Sequence, residues 1–204
     1  MHISEGVLSY KILCGGALLS GVSTWIGLKK LDLEKTPRVA VFTSGFFVAS
    51  LIHVPIGPSS AHLILNGLLG LFLGWVAFPA ILVGLILQAV MFQFGGITTL
   101  GVNTFNMAFP AVICFYVFRR WIINNNRMAS SVSAFLCGAL AVMLSAILVS
   151  ISLALTGMHF LNMAKLIILA HIPIMVIEGL ITAITFQFLK RVRPEILEVL
   201  YEGV

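Results

Sequence analysis

Seven apolar runs, each near the length needed to cross a bilayer, constrain this chain more than any motif in it. A spanning helix needs about 20 consecutive apolar residues. Such runs cover residues 7–28, 39–55, 60–76, 79–95, 102–118, 130–156 and 161–189. In lipid every backbone N–H and C=O must be satisfied within the protein, so runs of this length predict helices. Charged residues make up only 9% of the 204 residues, and the mean hydropathy is +1.10. A soluble domain carries about 25% charged residues, so this chain lacks the charge to clothe a surface facing water. The expected fold is an all-α membrane protein of about seven transmembrane helices. It forms a single domain over residues 1–204, with a short N-terminal segment, 1–6, ahead of the first span. The Phe78–Pro79 turn predicts a hairpin between the third and fourth runs.

The basic residues predict an orientation. Lys29, Lys30, Lys35 and Arg38 follow the first run, Arg119, Arg120 and Arg127 the fifth, and Lys190, Arg191 and Arg193 the seventh. Only Lys11 and Lys165 of the twelve lie elsewhere. The positive-inside rule makes the populated side cytoplasmic. An odd number of spans then places the N-terminus outside and the C-terminus inside. The net charge of +5 is thus explained by loops rather than by a nucleic-acid surface, which would cluster Lys and Arg with aromatics on one face. Cys14, Cys114 and Cys137 lie in separate apolar runs without CxxC spacing and read as packing residues. No GxSxG, HExxH, Walker A or GxGxxG motif is present, so no hydrolase, zincin or nucleotide site is predicted.

The polar residues outside the basic loops are few, and His2 is the most informative of them. No positive n-region or Ala-x-Ala site marks residues 1–6 for removal, so the expectation is a retained Met1 with a free amine. That amine, the His2 amide nitrogen and the His2 imidazole Nδ1 can close a five-membered and a six-membered chelate ring on one ion. A fourth nitrogen would complete a planar set that suits Ni(II) or Cu(II), whereas Mg²⁺ and Ca²⁺ prefer oxygen. The competing reading is an incidental histidine at a frayed terminus.

The fourth donor is expected from the break His53-Val-Pro-Ile-Gly-Pro-Ser-Ser-Ala-His62, where Pro55, Gly57 and Pro58 interrupt the helices. Ser59 or Ser60 can orient a ligating ring. A third polar cluster holds Gln88, Gln93, Gly95, Gly96, Gly101, Asn103 and Asn106, with the two asparagines one turn apart on one face. It can line a cavity or join helices. His171 and Glu178, two turns apart on the last run, read either as an interhelical pair or as a proton or ion relay.

With these motifs in view, the sequence resembles the CbiM/NikM family, the substrate-binding membrane subunits of energy-coupling-factor (ECF) cobalt/nickel transporters. The likeness rests on Met1-His2-Ile3-Ser4-Glu5-Gly6, on Ile52-His53-Val54-Pro55 through Ser60-Ala61-His62-Leu63, and on Gln93 through Met107. The resemblance implies an N-terminus inserted into the bundle and an ion held by Met1, His2 and His62. His53, Ser60, Gln93, Asn103 and Asn106 become supporting candidates around those ligands. It also implies Co(II) or Ni(II) as cargo rather than a resident cofactor, and a place in a prokaryotic plasma membrane. The implied partners are a transmembrane coupling subunit, two cytoplasmic ATPases and a small accessory membrane subunit, with cobalt serving cobalamin synthesis. The alternatives are a secondary transporter working through His171 and Glu178, and a membrane cytochrome with two histidines on a haem.

Overall fold

The computed structural model describes residues 1–51, 53–56, 59–123, 126–197 and 200, with the backbone alone for 53–56. Helices dominate it: α1 (Tyr10–Lys29), α2 (Thr36–Ala49), α3 (Asn66–Leu73), α4 (Ala77–Phe92), α5 (Leu100–Ile122), α6 (Arg127–Thr156) and α7 (Leu161–Val192). Among the described residues five stretches are long and apolar enough to cross a membrane: Tyr10–Lys29, Asn66–Phe92, Leu100–Ile122, Arg127–Thr156 and Met158–Val192. Large apolar side chains such as Leu18 and Trp25 on α1, Val41 and Val48 on α2, and Leu169 and Phe188 on α7 are exposed. Such a surface suits lipid and not water.

Asn66–Phe92 is not one straight rod. A helix of that length would hold its ends about 40 Å apart, yet His62, just before it, and Gln88, near its end, both touch His2. The stretch folds back at a 3₁₀ turn, Gly74–Val76, so the expected hairpin exists four residues before Phe78–Pro79. Gly74 makes the reversal with φ +54° and ψ −125°, a conformation open to glycine and costly to other residues. Pro79 lies instead in the first turn of α4, where its missing N–H leaves no intrahelical bond unmade.

A larger departure concerns residues 50–65. The runs 39–55 and 60–76 were expected to be helical up to the break between His53 and His62, but α2 ends at Ala49 and α3 begins only at Asn66. Between them, β1 (His53–Ile56) and β2 (Ser59–His62) pair antiparallel, with His53 opposite His62. Pro55 and the residues on either side of it are poor helix material, and a two-stranded ribbon satisfies their backbone groups inside the protein. At 14 residues, α2 is about 21 Å long and short of a full span.

Tight backbone contacts join the helices. A Cβ on Gly70 would collide with the Ala111 backbone of α5, and one on Gly138 would meet Glu178 O and Thr182 of α7. Asn66 ties the start of α3 to both neighbours, donating to Met107 O at 2.9 Å, Ser145 Oγ at 2.9 Å and Ala141 O at 3.4 Å. Basic residues gather at one end of the bundle. There Lys30, Lys35, Arg38 and Arg119 share a cavity of about 240 Å³ with the Gly74–Val76 turn. Gln187 of α7 donates to Arg127 O at the same end. The N-terminal segment enters from the opposite end, where Met1 and Ile3 are fully buried and His2 is 4% exposed.

Candidate metal centre

Three layers hold the N-terminal segment in the bundle. Asn103 of α5 treats Ile3 as a strand treats its neighbour: Ile3 N–H donates to Asn103 Oδ1 at 2.9 Å, and Asn103 Nδ2 donates to Ile3 O at 3.1 Å. The loop after α4 closes over the segment. Glu5 N–H donates to Gly95 O at 3.0 Å, and Thr98 N–H donates to Glu5 Oε1 at 3.0 Å. Gly96, at φ +133°, passes so close that a Cβ there would overlap the Glu5 side chain, which explains the paired glycines. Below, the side chains of Met1 and Ile3 pack with Ile64, Leu69 and Met107.

This clamping aims three nitrogens at one point. His62 Nδ1 lies 2.7 Å from Leu63 O. A carbonyl only accepts, so Nδ1 carries the proton and Nε2 presents a lone pair. His2 Nε2 lies 2.6 Å from Gln88 Oε1, while the Gln88 amide donates to Ser50 Oγ. By the same reasoning Nε2 of His2 is protonated and its Nδ1 presents a lone pair. The two lone-pair nitrogens are 3.1 Å apart, and the Met1 amine makes a short contact with His62 Nε2. The imidazoles stack at 4.6 Å between centroids, 22° from parallel. Phe94 approaches His2 at 6.2 Å between rings.

The electrostatics suit neutral donors. Burial holds the Met1 amine well below its ordinary value near 8. His62 is also held well below the usual imidazole range. Burial is the main cause, followed by the Met1 amine, His2 and His171, against the opposing hydrogen bond to Leu63. The Met1 amine and the His62 ring, both kept from protonation by burial, converge with His2 Nδ1 in an arrangement that can bind a transition-metal cation or a proton. Among the described residues no group of three His, Cys, Asp or Glu side chains converges on one point.

The structure therefore brings Met1, His2 and His62 together. Asn103 supports them through Ile3. Asn106 turns away and donates to Ser152 of α6 at 3.3 Å. Gln93 is exposed and closes α4 in a left-handed conformation, φ +58°. The His53 side chain lies outside the described residues, and Ser60 pairs with Pro55 in the ribbon.

Three residues take supporting roles that the sequence did not assign to them. Gln88 is the glutamine that reaches His2, and its isolated polarity within α4 was the available signal. Ser50 holds Gln88 in turn. Glu178, fully buried, accepts from the N–H groups of Ile64 and Leu65, at 2.8 and 2.9 Å from Leu65. It does not pair with His171, whose Nδ1 donates to Ile167 O at 2.7 Å.

Residues 2–196 match the family described as the cobalt uptake substrate-specific transmembrane region, CbiM. A Haemophilus influenzae protein provisionally named a metal transport protein is 42% identical over 202 residues, covering 97% of both chains. A provisionally named fused nickel transport protein, NikMN, from Archaeoglobus fulgidus is 31% identical, covering 97% of this chain and 68% of its own. A crystal structure described as a transition metal transporter superposes with a TM-score of 0.78 at 27% identity, covering 98% of each chain.

Proposed function

Because the chain belongs to the CbiM family and is a multi-pass membrane component of cobalt/nickel uptake, we propose that it is the substrate-binding subunit of an ECF-type transporter. It takes Co(II) or Ni(II) at the N-terminal nitrogen cluster.

The convergence of the Met1 amine, His2 Nδ1 and His62 Nε2 carries this reading. Amine, amide and imidazole of residues 1 and 2 occupy three successive corners of a square, so the fourth corner lies beside both the amine and Nδ1. Metal–nitrogen bonds of about 2 Å put adjacent corners roughly 2.8 Å apart. His62 Nε2 stands next to both, at 3.1 Å from His2 Nδ1. The His2 amide must lose its proton, which a strongly polarising ion promotes. The planar nitrogen field then favours Ni(II) over Co(II).

Seven helices, with the N-terminus outside and the basic end in the cytoplasm, would open the site to the exterior. The chain carries no nucleotide motif. Energy would come from two ATPases acting through a transmembrane coupling subunit, with a small accessory membrane subunit alongside. The rival relay through His171 and Glu178 is disfavoured because both Glu178 oxygens are engaged by backbone N–H groups. A haem between His2 and His62 is disfavoured because two iron–nitrogen bonds need about 4 Å between the nitrogens, which here stand 3.1 Å apart.

The test is metal content by mass spectrometry after loading with equal Co, Ni, Cu and Zn. Native protein is compared with a variant carrying one residue inserted before Met1. About one Ni or Co per chain, lost on insertion, is expected. Undiminished metal in the extended variant would place the ligands elsewhere.

A further inference from the structure

A third imidazole, on α7, lies by this region with one ring nitrogen unpartnered among the described residues. His171 of α7 is completely buried, and its Nδ1–H is committed to Ile167 O at 2.7 Å. Its Nε2 therefore presents a lone pair, and among the described residues nothing donates to it. His62 likewise has its Nδ1–H on a backbone carbonyl, but its Nε2 is met by the Met1 amine and by His2 Nδ1. A buried acceptor left without a donor costs folding free energy, so native proteins rarely keep one without a use.

Its position points to the use. Ile167, His171, Ile174 and Glu178 follow one another at spacings of four, three and four, which is a single face of α7. That face meets the candidate site along its length. Ile167, Ile174 and Met175 pack in the cluster that contains Met1, Ile3 and Ile64, and Glu178 grips the residues just after His62. His171 lies within electrostatic reach of both the Met1 amine and the His62 ring, yet is hydrogen-bonded to neither. His171 thus stands on the α7 face that packs against the site, two turns from Glu178 and outside the set of nitrogens that converge there.

We propose that His171 is a transfer ligand: a donor that holds the cation transiently as it enters or leaves the N-terminal chelate. The inference rests on the chelate reading given above. A donor beside a deep site offers a new bond as an old one breaks, and so lowers the barrier in both directions. It leaves the equilibrium affinity unchanged, because it does not contact the ion in its final position.

The experiment follows Ni(II) absorbance in the full-length detergent-solubilised protein during loading, and during release into excess EDTA. His171→Phe removes the donor, and His171→Gln keeps a similar size and an N–H for Ile167 O. Both are expected to slow loading and release tenfold or more, with the same Kd and the same bound-state spectrum as native protein. Native rates in both variants would overturn the proposal. Faster release with a weaker Kd would also overturn it, since that is the signature of a merely structural role. If native protein binds no Ni(II), or the chain extended before Met1 still binds it, the chelate reading itself fails and takes this inference with it.

Discussion

Both carboxylate oxygens of Glu178 accept from the backbone N–H of Leu65, at 2.8 and 2.9 Å. The first N–H groups of a helix have no partner inside it. Here a side chain from α7 supplies one at the start of α3, where Leu65 itself is left-handed at φ +52°. The same turn contains Leu63, whose carbonyl orients His62. Glu178 thus fixes the fourth nitrogen from a distance.

Glu178→Gln should uncouple them. The amide keeps one acceptor but turns a donor toward backbone N–H groups. Leaving a buried donor unmet costs about 1–3 kcal/mol, and loss of a supporting hydrogen bond typically weakens metal binding roughly 10–100-fold. Thermal unfolding and Ni(II) titration calorimetry measure the two effects. Native affinity in this variant would show that His62 does not depend on the α3 cap.

Removing the clamp on Ile3 gives a separate prediction. Asn103→Ala deletes both hydrogen bonds to Ile3 and strands a buried N–H and a buried C=O. The N-terminal segment should detach without unfolding of the helices, because among the described residues the Asn103 side chain bonds otherwise only to Thr99, just before α5. Limited proteolysis should then trim residues 1–6, and Ni(II) affinity should fall at least tenfold. Protection equal to native would mean that the buried Met1 and Ile3 side chains suffice as anchors.

How far the residues alone revealed this arrangement depended on which groups carry a side-chain signature. Lys30, Arg38, Arg119 and Arg127 mark one end of the bundle because charge is expensive in lipid. Met1 and His2 were legible because two chelate rings follow from covalent structure, whereas the choice of His62 over His53 came from the family resemblance. The ribbon at 53–62 was hidden by apolar residues on both sides, although Pro55 and Pro58 broke the helical pattern. Glu178 was misleading. Its partners are backbone groups of an interrupted helix, which have no signature, so its two-turn spacing from His171 suggested a pair that does not form. Asn106 failed for a related reason: sharing a face with Asn103 did not decide which neighbour, Ile3 or Ser152, each amide would meet.

Stability of the ion-free protein should fall as pH is lowered. The Met1 amine and His62 have folded-state values below those of the unfolded chain. Below about pH 8 for the amine and about pH 6.5 for the imidazole, the unfolded chain takes up protons that the folded chain refuses. Folding is therefore penalised progressively as pH drops through those values toward the folded-state ones. The midpoint of thermal unfolding in EDTA should decline between pH 8.5 and pH 6. Insertion of a residue before Met1 should remove the amine's share of that decline. A flat profile for native protein would mean that the amine is not buried without charge.

Two glycines separate the site from the lipid-facing surface. Gly96 sits at φ +133° against Glu5, and no Cβ fits there. Gly21, on the open face of α1 beside Leu18 and Trp25, has nothing within 4 Å of where a Cβ would stand. Gly96→Ala must both adopt a strained backbone, at about 1–3 kcal/mol, and push Glu5 away, which breaks the contacts to Gly95 and Thr98 that close the loop. Ni(II) affinity should drop tenfold or more. Gly21→Ala should leave affinity unchanged and stability equal or higher by up to about 1 kcal/mol, since alanine is the better helix former. Parallel Ni(II) titrations of the two variants decide the matter. Equal affinities would show that closure of the 95–98 loop over the N-terminal segment plays no part in holding the ion.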